Sequence, residues 1–334
     1  MGAVATLAGS GPFLLALTLL LPLLNLGLLA FPGLRKYAAR MSPWTALPAL
    51  TAAAVAPDGA TLSLPWLLTG IELYLDSVGR PFLLLAGILW PAAAGLARQR
   101  MAAREHRRFL GFGLATLSGN LGVCLAPGAV GFYLFYGIMS LAIYGLIIGD
   151  GEVRRRRAAN VYIVLTMAAE GALLAALFLH AHAEPITGPF AAFLAIFALG
   201  LKLGLVPLHV WMPLAYAAAP AASGAMLGGS MVNAGLIGWL RFLPLGQQAL
   251  PGAGGTLVVL GLAAAFGGVA LGLFQRQARA VLGYSSLSQM GWVTVGVGAG
   301  LLAPSQWGPA LQGAVIAYAL HHGLVKGGLF LATE

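Results

Sequence analysis

The stretch LGLKLGLVPLHVWMP, residues 199–213, decides how this chain is read. Lys202 stands inside a long apolar run, Pro207 follows it and His209 comes two residues later. Around this stretch the composition is that of an integral membrane protein. Of 334 residues, 60% are hydrophobic and 8% charged, whereas a soluble domain carries roughly a quarter charged residues. Lipid cannot satisfy backbone polar groups, so only helices and closed barrels span it. The apolar runs are continuous rather than alternating, which selects helices.

The expected fold is therefore all-α, a polytopic transmembrane bundle of about eleven spans. They are placed at 12–31, 43–56, 81–97, 109–126, 129–149, 160–180, 189–214, 222–243, 254–274, 280–299 and 309–333. The seventh is discontinuous, because Pro207 removes a backbone donor and disfavours helix at the preceding residue. The whole chain reads as one domain, with 1–108 as N-terminal helices and 109–334 as the core.

The arginines orient the bundle. Fourteen of 18 Lys/Arg, among them Arg35, Arg98–Arg108 and Arg154–Arg157, fall in loops on one expected side. Only Arg80 and Arg241 lie on the other, and Lys202 and Lys326 lie within spans. The positive-inside rule then places the N-terminus outside and the C-terminus in the cytoplasm, in a bacterial inner membrane. The formal net charge of +9 is explained by topology, and no nucleic-acid partner is expected.

Cys124 has no cysteine partner, and there is no Cys/His cluster, phosphate-binding glycine loop or nucleophile elbow. No catalytic site, metal or cofactor is expected in this chain, so any redox cofactor belongs to partner subunits. An enzymatic label would belong to the assembly.

The intramembrane charges carry the functional reading. A charge at mid-membrane costs at least about 2.5–3.5 kcal/mol on insertion scales and usually faces the bundle interior or water. Lys202 sits beside a helix break, which frees carbonyls and is tolerated only inside protein or next to a wet cavity. Glu170, in TMAAEGALL, is the one acid well inside a span. In AYALHHGLVKGGLFLA, Tyr318, His322 and Lys326 follow at spacings of four and share a helix face. The candidate proton path is Lys202, Glu170, His209, His322 and Lys326, with Asn233 and Tyr318 as further polar groups. The alternative for each lysine and histidine is a static residue that satisfies carbonyls and holds helices together.

Residues 202–242, KLGLVPLHVWMPLAYAAAPAASGAMLGGSMVNAGLIGWLRF, resemble the broken helix and following helix of the antiporter-like membrane subunits. That family occurs in respiratory complex I, membrane-bound hydrogenases, formate hydrogenlyases, Mrp-type sodium/proton antiporters and inorganic-carbon accumulation complexes. Lys202, Gly204, Pro207, Leu208, His209, Trp211 and Pro213 match its pattern. QRQARAVLGYSSLSQMGW (275–292), HHGLVKGGLFLA (321–332) and, more weakly, LYLDSVGRPF (73–82) agree as well.

The resemblance implies proton translocation or cation/proton exchange, driven by chemistry in a soluble energising subunit and shared with other membrane subunits. It also implies a glutamate on the fifth helix opposite Lys202. Gly137 stands at that position, Asn233 stands where many members have lysine, and Leu214 replaces an aspartate. The chain stops at Glu334, before the family's twelfth helix. Glu170 is expected to take the missing glutamate's role. Two alternatives are a non-conducting, shortened scaffold that docks a partner through Arg154, Arg155, Arg156 and Arg157, and the membrane subunit of an inorganic-carbon uptake complex.

Overall fold

The computed structural model describes residues 2–183 and 188–334. Helix α1 (Gly2–Leu28) leads through a short α2 (Arg35–Met41) to α3 (Leu47–Val55). A two-stranded antiparallel hairpin follows, β1 (Thr61–Leu64) and β2 (Ile71–Tyr74), with Ser63 opposite Glu72. Then come α4 (Gly79–Arg100), α5 (Ala103–Leu125), α6 (Ala129–Ile148) and α7 (Val153–Ala183). The interrupted segment is α8 (Pro189–Leu203) and α9 (Trp211–Ala218), and a second interrupted segment is α10 (Ala221–Gly229) and α11 (Ala234–Phe242). Three long helices complete the description: α12 (Pro251–Leu273), α13 (Ala278–Leu302) and α14 (Pro309–Leu331).

The all-α membrane bundle and the discontinuous seventh segment stand as expected, and helix occupies all eleven expected spans. Among the described residues eight segments, the broken α8–α9 unit included, are long and apolar enough to cross. Three segments fall outside that set. Helix α3 has only nine residues. The α10–α11 segment is interrupted at Ser230–Asn233. Helix α13 is long but carries Tyr284, Ser285, Ser286, Ser288 and Gln289 on its first turns. The hairpin was not expected. Its Leu73 and the following Leu75 are fully buried, so it plugs one end of the bundle with apolar side chains.

The break after α8 is made by glycine and closed by hydrogen bonds. Gly204 has φ of +81°, a region that L-residues with a Cβ rarely adopt. The Leu205 amide donates to the Gly200 carbonyl at 2.8 Å and the Gly204 amide to Leu201 at 3.1 Å, the bonding of a Schellman cap. The Trp211 indole also donates to the Leu201 carbonyl, at 2.7 Å. The interruption therefore leaves few carbonyls bare, as a lipid-embedded bundle requires.

At the hairpin end, Arg241 from α11 does a comparable job for α5. Its guanidinium donates to the carbonyls of Val123 (2.6 Å), Cys124 (2.6 Å) and Ala126 (2.8 Å) and pairs with Asp76 at 3.2 Å. The side chain is 5% exposed. Expected as a loop charge, it is a buried clamp on a helix C-terminus. Arg241→Ala should destabilise the detergent-solubilised protein by about 3 kcal/mol, because it leaves Asp76 and three carbonyls unpaired. Thermal unfolding of Arg241→Ala against Arg241→Lys measures this, and an unchanged midpoint in the alanine variant would refute it.

Candidate functional site

Lys202 occupies the last turn of α8, 2% exposed. Its Nζ donates to the Tyr162 hydroxyl at 2.9 Å, and that hydroxyl donates to the Ser140 carbonyl at 2.9 Å. The ammonium also lies over two aromatic faces, 5.2 Å from the Tyr136 ring centre and 5.1 Å from that of Tyr162. Such faces are attractive to a cation, more so when water is excluded. Tyr162 in turn meets Trp211 edge-on at 5.3 Å, which ties α7 to the start of α9.

Three side chains on α7 continue from this lysine. Tyr162, Thr166 and Glu170 are spaced by four, so they stack on one helix face. All three are buried, and Glu170 is 6% exposed. Neither carboxylate oxygen of Glu170 makes a close hydrogen bond among the described residues, and the Ser140 side chain is a neighbouring polar group. The charged group that acts on Lys202 through space is this carboxylate. Among the described residues no direct ion pair joins the two.

Glu170 comes close to the glycine on α6. A Cβ built on Gly137 would lie 3.8 Å from Glu170 Oε2. The carboxylate thus occupies the space in front of residue 137, where a side chain from α6 would project. Both residues line a groove of about 770 Å³ between α6 and α7, walled by apolar side chains including Leu141 and Leu174.

His209 lies in the turn between α8 and α9, half-buried. It lines a basin of about 520 Å³ together with Arg154, Arg157, Arg276 and Gln277. The helix break therefore opens on the arginine-rich end of the bundle. Of the four consecutive arginines, Arg154 donates to Gln277 and Arg156 to the Gly151 carbonyl at 3.1 Å. Arg155 pairs with Glu105 at 3.3 Å and Asp150 at 3.5 Å. Three of the four are thus engaged within the chain.

A separate polar group sits on α14. Lys326 donates to the Ser285 hydroxyl at 2.6 Å, and Tyr318 donates to Gln289, both on α13. His322, between them on the same face, is 2% exposed with neither ring nitrogen partnered among the described residues. Asn233 is fully buried at the α10–α11 break, donating to the Gly229 carbonyl at 3.1 Å. Asn120 of α5 reaches the same break through the Ser230 hydroxyl at 2.8 Å. No hydrogen bond among the described residues joins the Lys202 group to the His322–Lys326 group. An aromatic series spans part of the interval: Trp211 meets Tyr216 at 6.1 Å, and Tyr216 meets Phe330 of α14 at 5.3 Å.

Sequence reasoning missed Tyr162, Thr166, Ser140, Asn120 and Ser230. A signal existed for two of them, the Tyr-x-x-x-Thr-x-x-x-Glu spacing that leads back from Glu170.

Residues 126–334 match the NADH:quinone oxidoreductase/Mrp antiporter, TM family. NADH-quinone oxidoreductase subunit N of Desulforudis audaxviator is 32% identical over 288 residues, covering 80% of this chain and 56% of that protein. The chain thus spans little more than half the length of that relative. A chain of the membrane-bound sulfane sulfur reductase, an archaeal respiratory membrane complex, superposes with a TM-score of 0.76 at 25% identity, over 94% of this chain and 55% of its own. A chain of the Mrp complex from Dietzia sp. DQ12-45-1b shares the fold with a TM-score of 0.82 at 22% identity, over 96% and 37%.

The lysine–tyrosine contact has its own test. A hydrogen bond to a charged group contributes about 1.5–3 kcal/mol. A double-mutant cycle of Tyr162→Phe and Lys202→Met, read by thermal unfolding, should give a coupling of that order. A coupling near zero would mean that the ammonium does not depend on the hydroxyl.

Proposed function

This chain belongs to the NADH:quinone oxidoreductase/Mrp antiporter transmembrane family, and on that premise we propose that it moves protons across the membrane within a larger energy-converting complex. The observation that carries this reading is the buried Lys202, 2% exposed at a helix break and held by Tyr162, with the Glu170 charge within electrostatic reach. A buried ammonium is stable only while an opposite charge or good hydrogen bonds offset its lost hydration. Neutralising the carboxylate, or drawing it away, removes that support and releases the lysine's proton. Restoring it recaptures one.

In this proposal His209 and its basin supply access from the arginine-rich side, which faces the cytoplasm with the C-terminus. His322 and Lys326 carry the proton onward, with Asn233 and Tyr318 beside the route. Glu170 performs the role that a glutamate at position 137 would have. Other membrane subunits surround the chain, and a soluble subunit holding any redox cofactors supplies the energy. The membrane is a bacterial inner membrane.

The experiment uses the assembled complex in sealed vesicles with a pH-sensitive dye. Lys202→Ala should abolish coupled proton uptake while the complex still assembles. Glu170→Ala should lower it at least about tenfold. Gly137→Glu in the Glu170→Ala background should recover much of it, since a side chain from residue 137 enters the same space. Undiminished uptake in Lys202→Ala would overturn the function. Failure of the rescue alone would overturn only the exchange of roles between residues 170 and 137.

A further inference from the structure

The start of α5 carries Arg104, Arg107 and Arg108, followed by Gly111, Phe112 and Ala115. Positions 104, 107, 108, 111 and 115 fall on one helix face. That face looks onto the end of α1 and the start of α2, and between them lies a groove of about 630 Å³. Leu26, Leu29 and Arg35 form its other side.

The groove is divided by height. Four arginines lie along its outer part, and Leu26, Phe112 and Ala115 line its inner part. From Arg104 to Ala115 the helix rises about 16 Å, enough to pass from a headgroup layer into the region of the acyl chains. Arg35 donates to the Leu29 carbonyl at 3.0 Å and Arg108 to the Gly149 carbonyl at 2.8 Å. Arg104 and Arg107 are exposed and have no hydrogen-bond or ion-pair partner among the described residues. No acid lines the groove. Glu105, the nearest in sequence, turns to Arg155 at 3.3 Å. At Gly111 an added Cβ would meet nothing within 4 Å, so the floor of the groove is open at its mid-height.

We propose that this groove binds one anionic phospholipid. Its phosphate sits between Arg104 and Arg107, and its chains run inward along Leu26, Phe112 and Ala115. Two unpartnered guanidinium groups beside a groove with no lining acid attract an anion, and basic pockets between transmembrane helices suit such headgroups. The apolar inner wall excludes a purely soluble anion as the natural occupant, because it would leave Leu26 and Phe112 lining an unfilled slot. Arg35 and Arg108, already bonded to carbonyls, set the width of the mouth. The proposal does not depend on proton translocation.

The test is native mass spectrometry of the full chain in mild detergent, titrated with phosphatidylglycerol or phosphatidylethanolamine of the same acyl chains. The wild type should hold one phosphatidylglycerol in preference to phosphatidylethanolamine. Arg104→Gln/Arg107→Gln should bind it about thirtyfold more weakly. Gly111→Leu, which keeps every charge and fills the open floor, should lose it as well. Millimolar glycerol phosphate should not displace it. Equal binding of the two lipids, wild-type affinity in Gly111→Leu, or displacement by glycerol phosphate would each overturn the proposal. The last would point to a soluble anion held by surface charge.

Discussion

An ammonium group with almost no access to water dictates how the centre of this molecule is built. Lys202 at 2% exposure must be compensated locally, and each compensation places an element. The hydroxyl of Tyr162 fixes α7 against α8. The rings of Tyr136 and Tyr162 close over the charge, which brings α6 in. Trp211 packs on Tyr162 and takes the Leu201 carbonyl, so α9 starts where it does. Glu170 lies two turns along the same helix that carries Tyr162. Without the lysine, the Tyr162 hydroxyl would keep only its bond to the Ser140 carbonyl.

The same lipid constraint explains where irregular backbone is placed: the α10–α11 break is buried, and the α8–α9 turn opens on the basin at the arginine-rich end. Both interrupted segments, α8–α9 and α10–α11, bring polar groups to their breaks: Trp211 at the first, Asn120 and Asn233 at the second. Helix ends nearer the surface are treated differently. Arg241 spans from α11 to three terminal carbonyls of α5 and to Asp76. Elsewhere close backbone contact replaces side-chain packing. Gly254, Gly261 and Gly268 of α12 press on α13 so closely that a Cβ at any of them would come within 2.8 Å of backbone atoms. Small residues at such spacing let helices associate where no hydrophobic drive exists between them.

What could be seen in the sequence follows the cost of each residue type. Lysine, glutamate and proline inside apolar runs are expensive enough that Lys202, Glu170 and the break at Pro207 stood out. Tyrosine, threonine and serine are common in membrane helices for many reasons, so Tyr162, Thr166 and Ser140 drew no notice although they complete the site. The α10–α11 break has no proline and was hidden for the same reason. The hairpin at Thr61–Tyr74 is short, and its alternation is too brief to separate from a loop. Arg241 was legible as a charge but not as a clamp, since its partners lie more than a hundred residues away in sequence. The distribution of arginines fixed the chain's two ends as chemically different, yet nothing in it revealed the groove shared by α1, α2 and α5.

A carboxylate carried by α7 rather than by α6 has a mechanical consequence. Electrostatics depends on where a charge lies, not on the helix that delivers it, and Glu170 lies in front of Gly137. Its origin still matters for motion. Tyr162, Thr166 and Glu170 share one face of one regular helix, so they move together. A carboxylate on α6 would have been able to shift relative to the tyrosine, but this one cannot do so without a rotamer change. Lys202, by contrast, is carried on α8. Its helix ends at Gly204, whose left-handed backbone and Schellman hydrogen bonds form the joint between α8 and the turn that follows. In this chain, changing the separation of the two charges requires moving α8 at that joint against a fixed α7 face, or turning the Glu170 side chain into the groove beside it.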